Sequence, residues 1–311
     1  MILDPGQYGC SSKLPFCETF ELASMNNGSS KGDYSVTLPD GPYAHSIDRV
    51  FRCSDDWPTF ADIALNHAFG DVLVAGATPH HVMFSFEFGP DTDENERARA
   101  TKAFFEAASA RSVHVGKCHS SIAQNPTSVT IAVCGNGLRA ITAPPSNGLV
   151  CLSRPLGASK MHFLAEMGLS ADPTATDILR NGNPAGFCTS FRWAALSDVS
   201  GDGLAGAVLS MGARFGADIL LTLNLASAFA PDVLEVEVDC LVNPSSSYAN
   251  LPITAQCPRA WHLMRLRETA GPFVGLLNAG DANLEELERR GALVLGTFCK
   301  GTGKVQVEWQ S

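Results

Sequence analysis

Charge is scarce in this chain. Only 17% of its 311 residues are charged, the net charge is −10, and neither Lys nor Arg gathers into a run. A general nucleic-acid surface is therefore not expected, because such binding rests on clustered cations that neutralise phosphates. No stretch approaches the ~20 uninterrupted apolar residues of a membrane span. Met1 to Lys13 lacks the basic start and long apolar run of a signal peptide, so none is expected there. Ten cysteines occur, at positions 10, 17, 53, 118, 134, 151, 188, 240, 257 and 299, without a single C-x-x-C pair. Beyond the adjacent Cys118-His119 there is no short Cys/His spacing, so they read as reduced thiols of a cytoplasmic protein rather than as a disulfide scaffold or zinc site. Familiar nucleotide and nucleophile loops are missing too. No G-x-x-x-x-G-K-[ST] or G-x-S-x-G occurs, and Gly135-Asn136-Gly137 is too short for a phosphate fingerprint.

What is present is core material. Hydrophobic residues make up 45% of the chain, enough for two ordinary domains or one large one. The first 35 residues are rich in Gly, Ser and Asn and have loop composition. Strands are expected at Tyr34–Thr37, Ser46–Phe51, Val82–Phe88, Ser128–Cys134, Leu149–Leu152, Ile219–Leu223, Val233–Val238, Phe273–Leu277, Leu293–Phe298 and Val305–Trp309. Helices are expected from Pro58 to about Ala68, with Asp55 or Asp56 before it, and over Asp91–Ala110, Lys160–Met167, Gly203–Phe215 and Asn283–Arg290. Alternating strands and helices define an α/β (α+β) class. Ala143-Pro144-Pro145-Ser146-Asn147-Gly148 is the best linker, since two prolines stop a helix or central strand. The expected division is a loop over residues 1–35, a domain over 36–147 and a second over 148–311.

Candidate chemistry lies in aspartates at element ends: Asp33, Asp48, Asp71 and Asp198. Carboxylates from separate elements suit Mg²⁺, which prefers oxygen ligands and completes its shell with water and substrate phosphates. An acidic protein can bind ATP in this way. Taken residue by residue, the commoner condition of such acids is a solvated loop position. His80-His81 reads as a polar loop pair at a helix-to-strand junction, the Phe84, Phe86, Phe88 alternation as a half-buried strand, and Phe104-Phe105 and Trp193 as core or interface. The Glu285–Arg290 charge run reads as a solvated helix face.

A family pattern joins these residues. Gly9-Cys10-Ser11-Ser12-Lys13 resembles the G-C-x-x-K loop of selenophosphate synthetases, members of the aminoimidazole ribonucleotide synthetase-like ATP-binding superfamily. Asp48 precedes Asp71 by 23 residues, the interval between two metal- and ATP-binding aspartates of that family. Asn66-His67-Ala68-Phe69-Gly70-Asp71-Val72, then Val74-Ala75-Gly76-Ala77-Thr78-Pro79, is similar to N-A-x-S-D-V followed by A-M-G-G-x-P. Lys117-Cys118-His119-Ser120 resembles a G-G-H-S loop, Ser153-Arg154-Pro155-Leu156-Gly157 a T-K-P-L-G opening of the second domain, and Asp198-Val199-Ser200-Gly201-Asp202-Gly203-Leu204 a D-V-T-G-F-G-L segment. Weaker echoes lie at Ser246-Ser247-Tyr248 and Thr269-Ala270-Gly271. The motifs run in family order over nearly the whole chain.

The resemblance implies a two-domain fold whose N-terminal domains pair in a homodimer, with ATP in a cleft shared between subunits. It implies phosphorylation of selenide to selenophosphate, releasing AMP and phosphate, with Mg²⁺ as cofactor and ATP as substrate. Cys10 would handle selenium or assist attack, its thiolate favoured by a neighbouring Lys13 ammonium. Lys13 would offset phosphate charge. Asp33, Asp71 and Asp198 would ligate the metal, with Asp48 also facing the ATP site. Ser30, Lys31 and Gly32 would lie beside the phosphates, and His119 and Ser120 near the nucleotide of the partner subunit. Departures mark a divergent member. His67 stands for asparagine, Gly32 for the first Asp of a D-D pair, Lys117-Cys118 for Gly-Gly, and Leu266-Arg267-Glu268 for D-P-Q. The alternatives are another small-metabolite kinase or ligase of the superfamily, in which Cys10 and Lys13 have no required role, and a non-catalytic regulator that binds ATP without consuming it.

Overall fold

A computed structural model of the chain describes residues 8–10, 36–37, 43–137, 146–170, 173–182, 185–230, 233 and 241–310. Its first layer is a five-stranded sheet built from β1 (Val36–Thr37), β2 (Tyr43–Phe51), β3 (Thr78–Phe88), β4 (His114–Ile122) and β5 (Ser128–Asn136), in the order β1-β2-β5-β3-β4. Only the β3–β4 pair is parallel; the others are antiparallel. Helices α1 (Trp57–Val74) and α2 (Glu94–Ala110) cover one face. The inward side of that sheet alternates with period two, so Val82, Phe84, Phe86 and Phe88 are buried while Met83 is exposed. Phe104 of α2 meets Phe60, Phe84 and Phe86 edge-on, with ring centroids 5.3, 5.4 and 5.0 Å away. Its neighbour Phe105 is exposed.

Helix α1 starts where sequence signals place it. Asp56 accepts the Thr59 N–H at 2.9 Å, and Pro58 sits in the first turn. It runs six residues beyond Ala68, through Gly70-Asp71, and is buried on nearly all sides. Such a helix belongs between layers rather than on a surface. One flank packs on β2, β5 and α2, the other on elements of the C-terminal half.

That half holds α3 (Ala158–Glu166), α4 (Thr174–Asn181), α5 (Ala185–Ser190), α6 (Gly203–Phe215), α7 (Leu225–Ala228), α8 (Pro258–Met264) and α9 (Leu284–Arg289). Its sheet contains β6 (Asn147–Leu152), β7 (Trp193–Asp198), β8 (Ala217–Asn224), β9 (Ile253–Ala255), β10 (Phe273–Asn278), β11 (Leu293–Lys300) and β12 (Val305–Gln310), ordered β7-β10-β6-β11-β8-β12-β9. Polar contacts join the halves through α1. Asn66 Nδ2 donates to the carbonyls of Leu179 and Arg180 at 2.8 Å each. Asp62 accepts Arg111 Nη1 at 2.8 Å and Arg180 Nε at 3.1 Å.

Several elements differ from the sequence expectations. Lys117–Ser120 is not a loop but part of β4, and His80-His81 lies inside β3 rather than at a junction loop. Their few apolar residues carry no clear period-two signal, so pairing with β3 and β5 decides them. Trp193–Asp198, Thr174–Asn181 and Pro258–Met264 form elements that no strong pattern announces. The expected strand Val233–Val238 lies, except for Val233, outside the described residues.

Asp218 secures the turn between β11 and β12, accepting the Thr302 N–H at 2.7 Å and the Lys304 N–H at 2.9 Å. Those backbone donors hold its carboxyl below the ordinary range. A depressed folded-state pKa gives stabilisation that is complete above the unfolded value and lost as pH falls through the folded one. Asp218→Ala should therefore lower the melting temperature at pH 7, and the gap from wild type should close as pH falls below the carboxylate range. Thermal melts at both ends of that range decide it; equal midpoints at pH 7 would contradict the assignment.

Candidate functional site

Strand β2 turns Ala44, Ser46, Asp48 and Val50 toward α1, placing two polar side chains among apolar inward positions. Facing them, α1 supplies His67, Gly70 and Asp71, which share one side of the helix at spacings of three and four. Ser46 Oγ donates to Asp71 Oδ2 at 2.6 Å, and His67 Nε2 stands 3.9 Å from Asp48 Oδ1. Asp198, the last residue of β7, comes from the other sheet and rests against Gly70. A methyl group added there would lie 3.5 Å from Asp198 Cβ and 3.7 Å from Oδ2. Those are ordinary van der Waals distances, so β7 seats its carboxylate directly against the helix that carries Asp71. Asp48, Asp71 and Asp198, more than a hundred residues apart at the extremes, meet at one side of α1.

Cys10 reaches the same place. Phe51 N–H donates to the Gly9 carbonyl at 3.1 Å, and Cys10 N–H donates to Thr269 Oγ1 at 3.0 Å. Gly9 has φ +53°, and a Cβ there would come within 2.1 Å of Thr269 Oγ1, so close approach as well as conformation demands glycine. Tyr8, 2% exposed, anchors the segment by donating its hydroxyl to the Ser159 carbonyl at 3.3 Å.

The segment Glu268–Gly271 ties these parts together. Ala270, at φ +52°, donates its N–H to His67 Nδ1 at 3.2 Å. Thr269 N–H donates to Ser159 Oγ at 2.7 Å, and that hydroxyl donates to the Thr269 carbonyl at 3.0 Å. Glu268 is fully buried and accepts the N–H groups of Gly157 and, at 3.2 Å, Ser159 at the start of α3. Burial pushes its carboxyl up, opposed by the Arg154 guanidinium and those amide donors. Arg154 in turn donates to the Ala270 carbonyl.

Burial lowers the proton affinity of the His67 ring, but Cys10, Asp48 and Asp198 together outweigh it and raise that affinity overall. The Ala270 amide works the other way. It makes Nδ1 an acceptor, which opposes a second proton and places the single proton of the neutral ring on Nε2.

Lys13, Ser30, Lys31, Gly32 and Asp33 lie outside the described residues. His119 and Ser120 are exposed on β4, at the sheet edge three strand spacings from β2, or about 14 Å. The fold does not bring these two to the aspartates of their own chain. Among the described residues, no three His, Cys, Asp or Glu side chains form a ready-made metal cluster. The available donors are carboxylate oxygens from separate elements, a set that suits an ion completing its shell with phosphate and water. Sequence reasoning noted His67 and Glu268 only as departures and Thr269-Ala270-Gly271 only as an echo; the roles of Ser159 and Thr269 had no one-dimensional signal.

No protein-family model matches the chain, and no curated protein matches it in sequence. Solved structures do. Thiamine monophosphate kinase from Aquifex aeolicus is 14% identical, with 95% of this chain and 97% of that one covered at a TM-score of 0.66. A complex titled AaThiL with AMPPCP and TMP gives 0.69 at 14% identity, covering 92% and 91%. Hydrogenase maturation protein HypE in complex with ATP gives 0.59 at 14% identity, covering 96% and 88%. The likeness shows a mixed α/β architecture of the aminoimidazole ribonucleotide synthetase-like kind, and at these identities it shows the fold alone.

Glu268→Ala should lower the unfolding free energy by about 3 kcal/mol or more, since it strands Arg154 and two amides in a buried site. Denaturant titration measures this. A loss below about 1 kcal/mol would mean the carboxylate is not the fastener of the segment.

Proposed function

We propose that this protein transfers a phosphoryl group from magnesium-bound ATP to a small acceptor held beside Cys10. The observation that carries the reading is the meeting of Asp48, Asp71 and Asp198, from β2, α1 and β7, against one side of a buried helix. Carboxylates are costly to bring together near a protein interior, and a polyphosphate with divalent cations is a ligand that compensates such a cluster. Similarity in fold to proteins solved with ATP or AMPPCP supports the same reading.

Asp33, Asp48, Asp71 and Asp198 would hold magnesium, which when bound screens the triphosphate. Ser30, Lys31 and Gly32 are assigned to the phosphates. Lys13 offsets charge that develops on the transferred group, a task of positioning and electrostatics. His119 and Ser120 are assigned to the nucleotide of a partner subunit. The face of the first sheet on which Tyr43, Ile47 and Met83 are exposed is the surface on which two such chains would pair. We place the division into two domains at residues 147 and 148, one residue into β6, and the working protein in the cytoplasm.

One observation favours selenide as the acceptor: Cys10 stands at the carboxylate site, with Lys13 three residues on. Selenide would then take the γ-phosphoryl group as selenophosphate, and water would take the β-phosphoryl group of the remaining ADP, leaving AMP and orthophosphate. A different small metabolite is the acceptor if Cys10 is dispensable.

Protein, ATP, Mg²⁺ and selenide mixed anaerobically and followed by ³¹P NMR should yield a selenophosphate resonance with AMP and phosphate. ATP bound but never consumed, with selenide or other small acceptors, would overturn the phosphotransfer reading in favour of a regulator. Asp198→Asn should lower turnover on the order of 100-fold with the fold intact. Turnover at the wild-type rate would remove Asp198 from the site.

A further inference from the structure

We infer that His67 is the positioning residue of Cys10: its Nε2–H is the hydrogen-bond donor that the Cys10 sulfur accepts in the working site. The inference deepens the proposed reaction, on which any catalytic use of the pair rests, but the pair itself can be tested without ATP.

Three observations lead here. His67 is only 5% exposed, yet among the described residues its Nε2 has no partner within hydrogen-bond geometry. A buried donor left unused costs roughly 1–3 kcal/mol, and native proteins seldom hold one without a use for it. Next, the Ala270 N–H donates to Nδ1, so Nδ1 is an acceptor and a neutral ring carries its proton on Nε2. The orphan atom is therefore a donor, not an acceptor. Finally, Thr269 and Ala270 are consecutive. One grips the Cys10 amide at 3.0 Å and the other grips the His67 ring at 3.2 Å, so a single stretch of backbone sets Cys10 and His67 alongside each other.

The groups facing the ring are Cys10, Asp48 and Asp198, and after burial, which opposes it, Cys10 acts most strongly in favour of a proton there. Asp48 Oδ1, at 3.9 Å, is beyond hydrogen-bond range of Nε2. Both carboxylates are assigned to the metal in the reading above, which leaves the sulfur as the acceptor. An N–H directed at sulfur stabilises negative charge on it and raises its reactivity relative to other thiols. No bond is made or broken in this arrangement; it fixes where the sulfur lies and what its charge meets. The contact also gives a reason for histidine where the resembling family has asparagine, since only the longer ring spans from the Ala270 amide toward Cys10.

Two measurements test the pair. In protein labelled with ¹⁵N-histidine, the wild-type His67 ring should show an unprotonated Nδ1 and a protonated Nε2. The opposite tautomer would overturn the inference, because Nε2 would have no proton to give. In the second, iodoacetamide labelling at one fixed pH is resolved peptide by peptide, with exposed Cys299 as internal reference. Cys10 in H67L should react at least about tenfold more slowly than in wild type while Cys299 keeps its rate. H67Q, which keeps an N–H near the Nε2 position, should stay within about threefold of wild type. Unchanged Cys10 labelling in H67L would refute the pair and leave the phosphotransfer reading untouched. A chain that passes both tests but consumes no ATP would keep the pair and lose that reading.

Discussion

Helix α1 has almost no face that can meet water, and the molecule is arranged around that condition. A helix buried on nearly all sides needs a layer on each flank, and it finds β2, β5 and α2 on one side and the C-terminal elements on the other. Its last two turns nevertheless carry His67 and Asp71, both buried. Polar groups in such a place must be paired or must serve a ligand. Ser46 satisfies part of Asp71, while Asp48 and Asp198 bring further negative charge rather than relief. The helix therefore holds the halves together and presents an acidic site at their junction.

The second fastener is the segment Glu268–Gly271. Its side chains and amides reach the start of α3 through Glu268, the Tyr8–Cys10 segment through Thr269 and α1 through Ala270. A four-residue segment so committed has little freedom to move without disturbing all three. Ala270 holds a left-handed conformation, uncommon outside glycine, and the bonds on both sides of it keep it there. Site geometry and fold stability thus share the same hydrogen bonds, which ties the position of Cys10 to the packing of the second sheet.

Much of this was legible in one dimension, and the reasons differ by residue. The long helices and the alternating strand at Phe84, Phe86 and Phe88 follow from periodicity, and the start of α1 from Asp56 and Pro58. The aspartates at element ends were visible as candidates, but their meeting depends on the packing of β2, α1 and β7, which no local spacing encodes. Strand β4 was unreadable because its residues are polar or exposed on an edge, so pairing rather than burial defines it. His67 appeared only as a departure from a family pattern. Its meaning depends on an amide donor 203 residues away, a contact no local spacing encodes. The fold is shared with a thiamine monophosphate kinase and with HypE at 14% identity, so the acceptor must be argued from Cys10 and its surroundings rather than from the architecture.

The account stands on the carboxylates serving a metal-bound nucleotide. Crystals grown with Mn²⁺ and a non-hydrolysable ATP analogue, measured at the manganese absorption edge, would show this directly. Anomalous peaks bridging the nucleotide phosphates to Asp48, Asp71 and Asp198 are the result expected. Nucleotide bound with its metal away from all three carboxylates would contradict it.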